Sequence, residues 1–131
     1  MLTADDFRRI AVGMKDAHEG AHMGHPDFRA SGKIFATIHP DHLYGMVKLT
    51  PDEQQEFVRA HPSAFAPENG AWGRAGCTSV RLDAVDEETL GEAMTLARQN
   101  VARAAVTKAS KPSRARGEDD LTRSKQRRRG R

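Results

Sequence analysis

The chain has 131 residues, 37% hydrophobic and 30% charged, with one cysteine and a formal net charge of +3. That length and apolar content suit one modest core, and no apolar run reaches the roughly 18–20 residues that a membrane span needs. A lone Cys77 excludes an intramolecular disulfide and a cysteine-based zinc knuckle, and the start MLTADDFRRI lacks the order of a signal peptide, so a reducing, cytoplasmic setting without membrane contact is expected.

Charge is unevenly spread. Residues 107–131 hold ten Lys or Arg against three acids, whereas residues 1–106 hold eleven against fifteen. An acidic body with a basic tail points to a solvated segment or to contact with a polyanion.

In chain order, residues 2–16 predict an amphipathic helix. Thr3 is the N-cap with Asp6 three positions on, Leu2 and Phe7 can staple the first turn, and Phe7, Ile10, Ala11 and Met14 form one apolar face. The next stretch, HEGAHMGHPDFR, places His18, His22 and His25 within eight positions beside Glu19 and Asp27. His18, Glu19 and His22 match H-E-x-x-H letter for letter, but that pattern gathers zinc ligands only on a helix, and Gly20, Gly24 and Pro26 break helices. The stretch therefore predicts a loop leading into a strand, where Gly24 relieves backbone strain and Pro26 keeps the chain extended. No metal ligand set is assigned.

FRASGKIFATI predicts two strands joined by a turn at Ser31 and Gly32, and YGMVKLT at 44–50 predicts a third. TPDEQQEFVRAHP predicts a helix with Thr50 as N-cap, Pro51 in the first turn, Glu53 completing a capping box and an end near His61. SAFAPENGAWGRAG is too rich in Gly and Pro for a helix, and a short strand near Trp72 is the expectation there. CTSVRLD at 77–83 alternates, with Thr78, Val80 and Leu82 on one face. A long helix over 86–107 follows, capped by Asp86 and carrying Leu90, Met94, Ala97 and Val101 on its apolar stripe.

The expected order is α-β-β-β-α-β-β-α, an α+β antiparallel sheet with helices packed on one face. This gives a folded domain over 1–107 and a basic, disordered tail over 108–131, whose one large aliphatic residue, Leu121, cannot offset the entropy of ordering.

No catalytic residue is assigned. Asp27, Glu68 and Asp83 read as solvated or structural carboxylates, and Cys77 as a small filler with no activating group beside it. The basic residues offer more. Arg29, Lys33, Lys48, Arg74 and Arg81 lie on or beside predicted strands, with Tyr44 and Trp72 near them, so an outward sheet face could position phosphates and stack bases. An open sheet also needs a polar solvent face for solubility alone. The tail residues Lys125, Arg127, Arg128, Arg129 and Arg131 form the stronger polyanion contact, because flexible cations neutralise phosphates without fixed geometry. A small ligand cleft built from His22, His25, Asp27 and Trp72, with Arg29 beside it, is the other candidate site.

GHPDFRASGKIFATI at 24–38, GMVKLTPDEQQEFVRAHPSAF at 45–65 and GAWGRAGCTSVRLD at 70–83 resemble the MmcQ/YjbR family of small bacterial proteins. The resemblance covers residues 3–102 and implies an α+β fold similar to that of frataxin's bacterial relative (CyaY) and the secretion chaperones. It also implies DNA binding through a double-wing arrangement, and brings no catalytic residues and no cofactor. The tail lies outside it.

Three functions follow. The first is a non-enzymatic binding module for nucleic acid, acting through the basic sheet face and tail. The second is a protein-binding or chaperone-like adaptor, monomeric or a small homo-oligomer, and the third a metal-dependent hydrolase using His18, Glu19 and His22.

Overall fold

The computed structural model describes residues 1–22 and 24–110. Its order is α1 (Ala4–Val12), β1 (His18–His22), β2 (His25–Ala30), β3 (Lys33–Ile38), β4 (Tyr44–Lys48), α2 (Pro51–Ala60), β5 (Phe65–Pro67), α3 (Gly70–Arg74), β6 (Cys77–Arg81) and α4 (Glu87–Ser110). All six strands join in one antiparallel sheet with spatial order β1-β2-β3-β4-β6-β5.

The helix starts follow from local chemistry. The Thr3 hydroxyl accepts from the Asp6 N–H at 3.2 Å while the Thr3 N–H donates to the Asp6 carboxylate at 2.9 Å, and Thr50 with Glu53 repeats the arrangement ahead of α2. Each pair satisfies two orphan donors of a first turn. At α4 the Asp86 carboxylate accepts from the Thr89 N–H at 2.7 Å, which holds that carboxyl below its ordinary range. α1 stops at Gly13, short of the expected residue 16, because Asp16 takes a left-handed φ of 62° on the way into β1. α4 continues to Ser110, past the expected end at 107, since nothing before Pro112 opposes the helix.

Two elements differ from expectation. His18–His22 is a strand rather than a lead-in, closing a hairpin with β2 in which His22 faces His25 and Gly24 turns at φ 82°. Residues 70–74 form the short helix α3, and the strand expected near Trp72 is instead β5, pairing Phe65 with Val80. The β2–β3 turn is as expected, with Ser31 at φ 57° and Gly32 at φ 75°, the pair of left-handed residues that matches strand twist.

α1 and α4 cover one face of the sheet. Phe7, Phe28, Phe65, Leu82, Leu90 and Met94 are fully buried between the layers, with the rings of Phe7 and Phe28 5.9 Å apart. Gly45 belongs to this packing, because a Cβ there would run into the Phe7 ring. Among the described residues the other face of the sheet has no helix layer across it.

Candidate ligand-binding site

Strand register decides which side chains share the open face. Gly45 and Val47 of β4 point toward the helices, so Tyr44, Met46 and Lys48 point away, together with the residues paired to them. One row crosses all six strands: Gly20, Asp27, Thr37, Met46, Ser79 and Ala66. A second contains His18, Arg29 and Ile34 at one side and Lys48 and Cys77 at the other. A third includes Tyr44 and Arg81.

The centre of this face is small and apolar, and it forms the floor of a cleft of about 350 Å³. Ile34, Thr37 and Met46 line the floor, while His25, His39 and Pro40 stand at one rim and Lys48 and Trp72 at the other. That volume lies at the lower end of the roughly 300–1,000 Å³ of small-molecule sites.

Within the cleft the Asp27 carboxylate is buried and receives both arms of the Arg29 guanidinium, Nε to Oδ1 at 2.9 Å and Nη2 to Oδ2 at 3.1 Å. Such a fork is a strong form of ion pair, and the hydrogen bonds from Arg29 to Asp27 raise the guanidinium's pKa further. The pair also explains Gly20, since a Cβ on that edge strand would lie 2.9 Å from Asp27 Oδ1. At the rim, His39 Nε2 lies 2.8 Å from Glu68 Oε2, tying the end of β3 to the segment before α3. Both carboxylates near the cleft are thereby occupied.

Trp72 is 67% exposed, although its helix is firmly mounted. The Gln54 side-chain amide on α2 donates to the carbonyls of Gly73 and Cys77, each at 3.0 Å, and approaches the Thr78 hydroxyl at 3.3 Å. Gly73 packs on the Glu68 backbone so closely that a Cβ has no room. Tryptophan is enriched at interfaces, and this one lines the apolar cleft rather than standing on an unrelated surface.

Of the expected ligand residues, His25, Asp27 and Trp72 line this cleft, and the His22 side chain lies outside the described residues. The expected cations are dispersed. Arg29 is bound to Asp27, and Arg81 to Asp83 at 2.7 Å. Lys33 pairs with Ala30, whose side chain belongs to the helix-side core, so its register puts it on the opposite face from Arg29 and Lys48. Arg74 is exposed at the end of α3. Lys48 lines the cleft and makes no ion pair among the described residues. Lys125, Arg127, Arg128, Arg129 and Arg131, with the rest of 111–131, lie outside the described residues.

His39, Ile34, Thr37, Met46 and Gln54 were not singled out by sequence. Met46 had a signal, because it alternates in phase with Lys48; His39 and Gln54 had none. The H-E-x-x-H match is dissolved by the strand. Over four residues a strand rises about 13 Å, which separates His18 from His22, and Glu19 turns to the helix side, where Arg8 holds it at 3.0 Å. Among the described residues no three His, Cys, Asp or Glu are placed to hold a metal ion. Burial pushes the Cys77 thiol above its ordinary range, opposed by the Lys48 ammonium, so Cys77 is a poor nucleophile.

The YjbR family model matches residues 12–100, the span that builds the sheet, the cleft and both of its rims. The chain belongs to the YjbR family. A crystal structure of Deinococcus radiodurans protein DR2400, with a domain described as DUF419, superposes on this YjbR chain with a TM-score of 0.69. The two are 26% identical, with 83% of this chain and 85% of that one covered. No curated protein matches the chain. Among the described residues no helix is long and apolar enough to cross a membrane.

Proposed function

We propose that this YjbR protein is a non-enzymatic binding module whose open sheet face, at the cleft between Trp72 and the β2–β3 hairpin, is its ligand site. The observation that carries the reading is Trp72, an exposed indole on a support with no slack, beside an apolar floor. Of the other exposed large hydrophobic residues among the described ones, Val12 stands apart, while Met1 and Leu43 share a second cleft of about 470 Å³ beside the N-terminus, which has no aromatic side chain of the Trp72 kind. Catalysis has less support, since Asp27 in the cleft and Glu68 beside it are engaged by Arg29 and His39, and Cys77, which does not line the cleft, is buried.

Amide NMR of the full chain against a library of small fragments tests this directly. Ligands should perturb the Trp72 indole N–H together with Ile34, Thr37 and Met46. Perturbations confined to the helix face, or to the N-terminal segment beside Leu43, would remove the reading.

A second reading, contact with single-stranded nucleic acid, is favoured by Trp72 standing with Lys48 at one rim and an exposed Arg74 two residues further on. Such a set can stack a base and neutralise a phosphate. Its signature is an affinity whose logarithm falls by about 0.7 per phosphate contact with log salt on a single strand. Truncation after Ser110 should flatten that slope by removing the basic tail. Absence of retention in a shift assay at low salt would discard it.

A further inference from the structure

The cleft's charge balance says what kind of ligand it suits, and the inference rests on the cleft being the binding site. Four charged or titratable groups around it are already satisfied in pairs, Asp27 with Arg29 and His39 with Glu68. His25 and Lys48 remain, both at the rim and neither in an ion pair among the described residues, and of the two Lys48 supplies the ammonium. The floor offers Ile34, Thr37 and Met46 from adjacent strands, a broad pleated surface without charge. Beside it, at the same rim as Lys48, Trp72 supplies an aromatic surface. A cation would meet Lys48 unfavourably and find no free carboxylate lining the cleft among the described residues, while a neutral aliphatic molecule would use neither the indole nor the ammonium.

We propose that the cleft binds a small planar aromatic anion, its ring system lying against Trp72 and the sheet floor and its carboxylate or phosphate meeting the Lys48 ammonium. The cleft's 350 Å³ holds one fused ring system with a single charged group and leaves no place for a long chain. Ring and anion contribute separately. Stacking on Trp72 is tolerant of ring identity, whereas the ammonium discriminates charged from neutral versions of the same ring.

Trp72 is the chain's single tryptophan, so its fluorescence reports on this cleft alone. The experiment titrates full-length protein with two anions, 2-naphthoate and AMP, and with their neutral counterparts, 2-naphthamide and adenosine. The carboxylate and phosphate arms show which anion the cleft takes. At least one anion should quench Trp72 saturably and bind about tenfold more tightly than its neutral counterpart. Lys48→Gln should remove that preference while leaving the neutral compound's affinity within about twofold, and Lys48→Arg should restore most of it. Retained binding of the neutral compound also shows that Lys48→Gln is folded.

Equal affinity of charged and neutral forms, or a preference that survives Lys48→Gln, overturns the assignment of an anion but leaves the cleft as a site. If neither the four probes nor the fragment library perturbs Trp72, both the ligand class and the cleft reading fail.

Discussion

Replacing Arg29 by methionine separates a structural cation from a ligand-binding one. The substitution keeps most of the stem and deletes the guanidinium, leaving the Asp27 carboxylate, whose side chain is 1% exposed, without its partner. Breaking a buried pair by removing one member costs about 3–5 kcal/mol. Here the Arg29 side chain is 38% exposed, so water reaches the vacated space and the low end, about 3 kcal/mol, applies. Against a total stability of about 5–15 kcal/mol this is a large fraction. Urea unfolding at pH 7, followed by far-UV circular dichroism, should show the midpoint falling by about 1–2 M for a slope near 2 kcal/mol per M. The double variant Asp27→Asn with Arg29→Met removes both charges and should recover much of the loss, giving a coupling of about 2 kcal/mol in a double-mutant cycle. A fall of less than about 0.3 M for Arg29→Met alone would mean that the pair contributes little. Arg29 would then be free to serve a phosphate, and the account of an electrically closed cleft centre would be wrong.

Two further outcomes follow from the geometry. Gly73→Ala forces a Cβ into the Glu68 backbone and should destabilise by about 2 kcal/mol or more while shifting the Trp72 emission maximum, whereas Gly91→Ala, with open space on α4, should stabilise by about 0.5–1 kcal/mol; similar effects at both positions would refute the close packing of α3. The Asp86 carboxyl, lowered mainly by the Thr89 N–H, contributes stability that is present above its unfolded value of 3.8 and is lost as pH falls through its lower folded value. Asp86→Asn keeps a good capping oxygen but cannot titrate, so its stability should fall less steeply than the wild type's below pH 4 in acid unfolding followed by circular dichroism; parallel curves would show that this cap does not govern the acid limb.

Both capping boxes, the Ser31-Gly32 turn, the alternation of CTSVRLD and the stripe of α4 could be read from the chain because each is written within a few neighbouring residues. A cap acts over three positions and a strand face over two, and family motifs reinforced the same elements. β1 escaped this reading because HEGAH has neither β-branched nor aromatic residues. It is a strand because β2 lies beside it, and its Gly20 makes sense only under the Asp27–Arg29 pair. α3 escaped for a similar reason: a five-residue helix with two glycines is held by Gln54 and by the Glu68 backbone, both supplied by other elements. The candidate site divides in the same way. Trp72, His25, Asp27 and Lys48 could be noticed as chemistry, but which cation is neutralised and which faces the cleft depends on cross-strand register and on partners far along the chain. Charge in a sequence is a count; only the folded arrangement makes it a field with a direction.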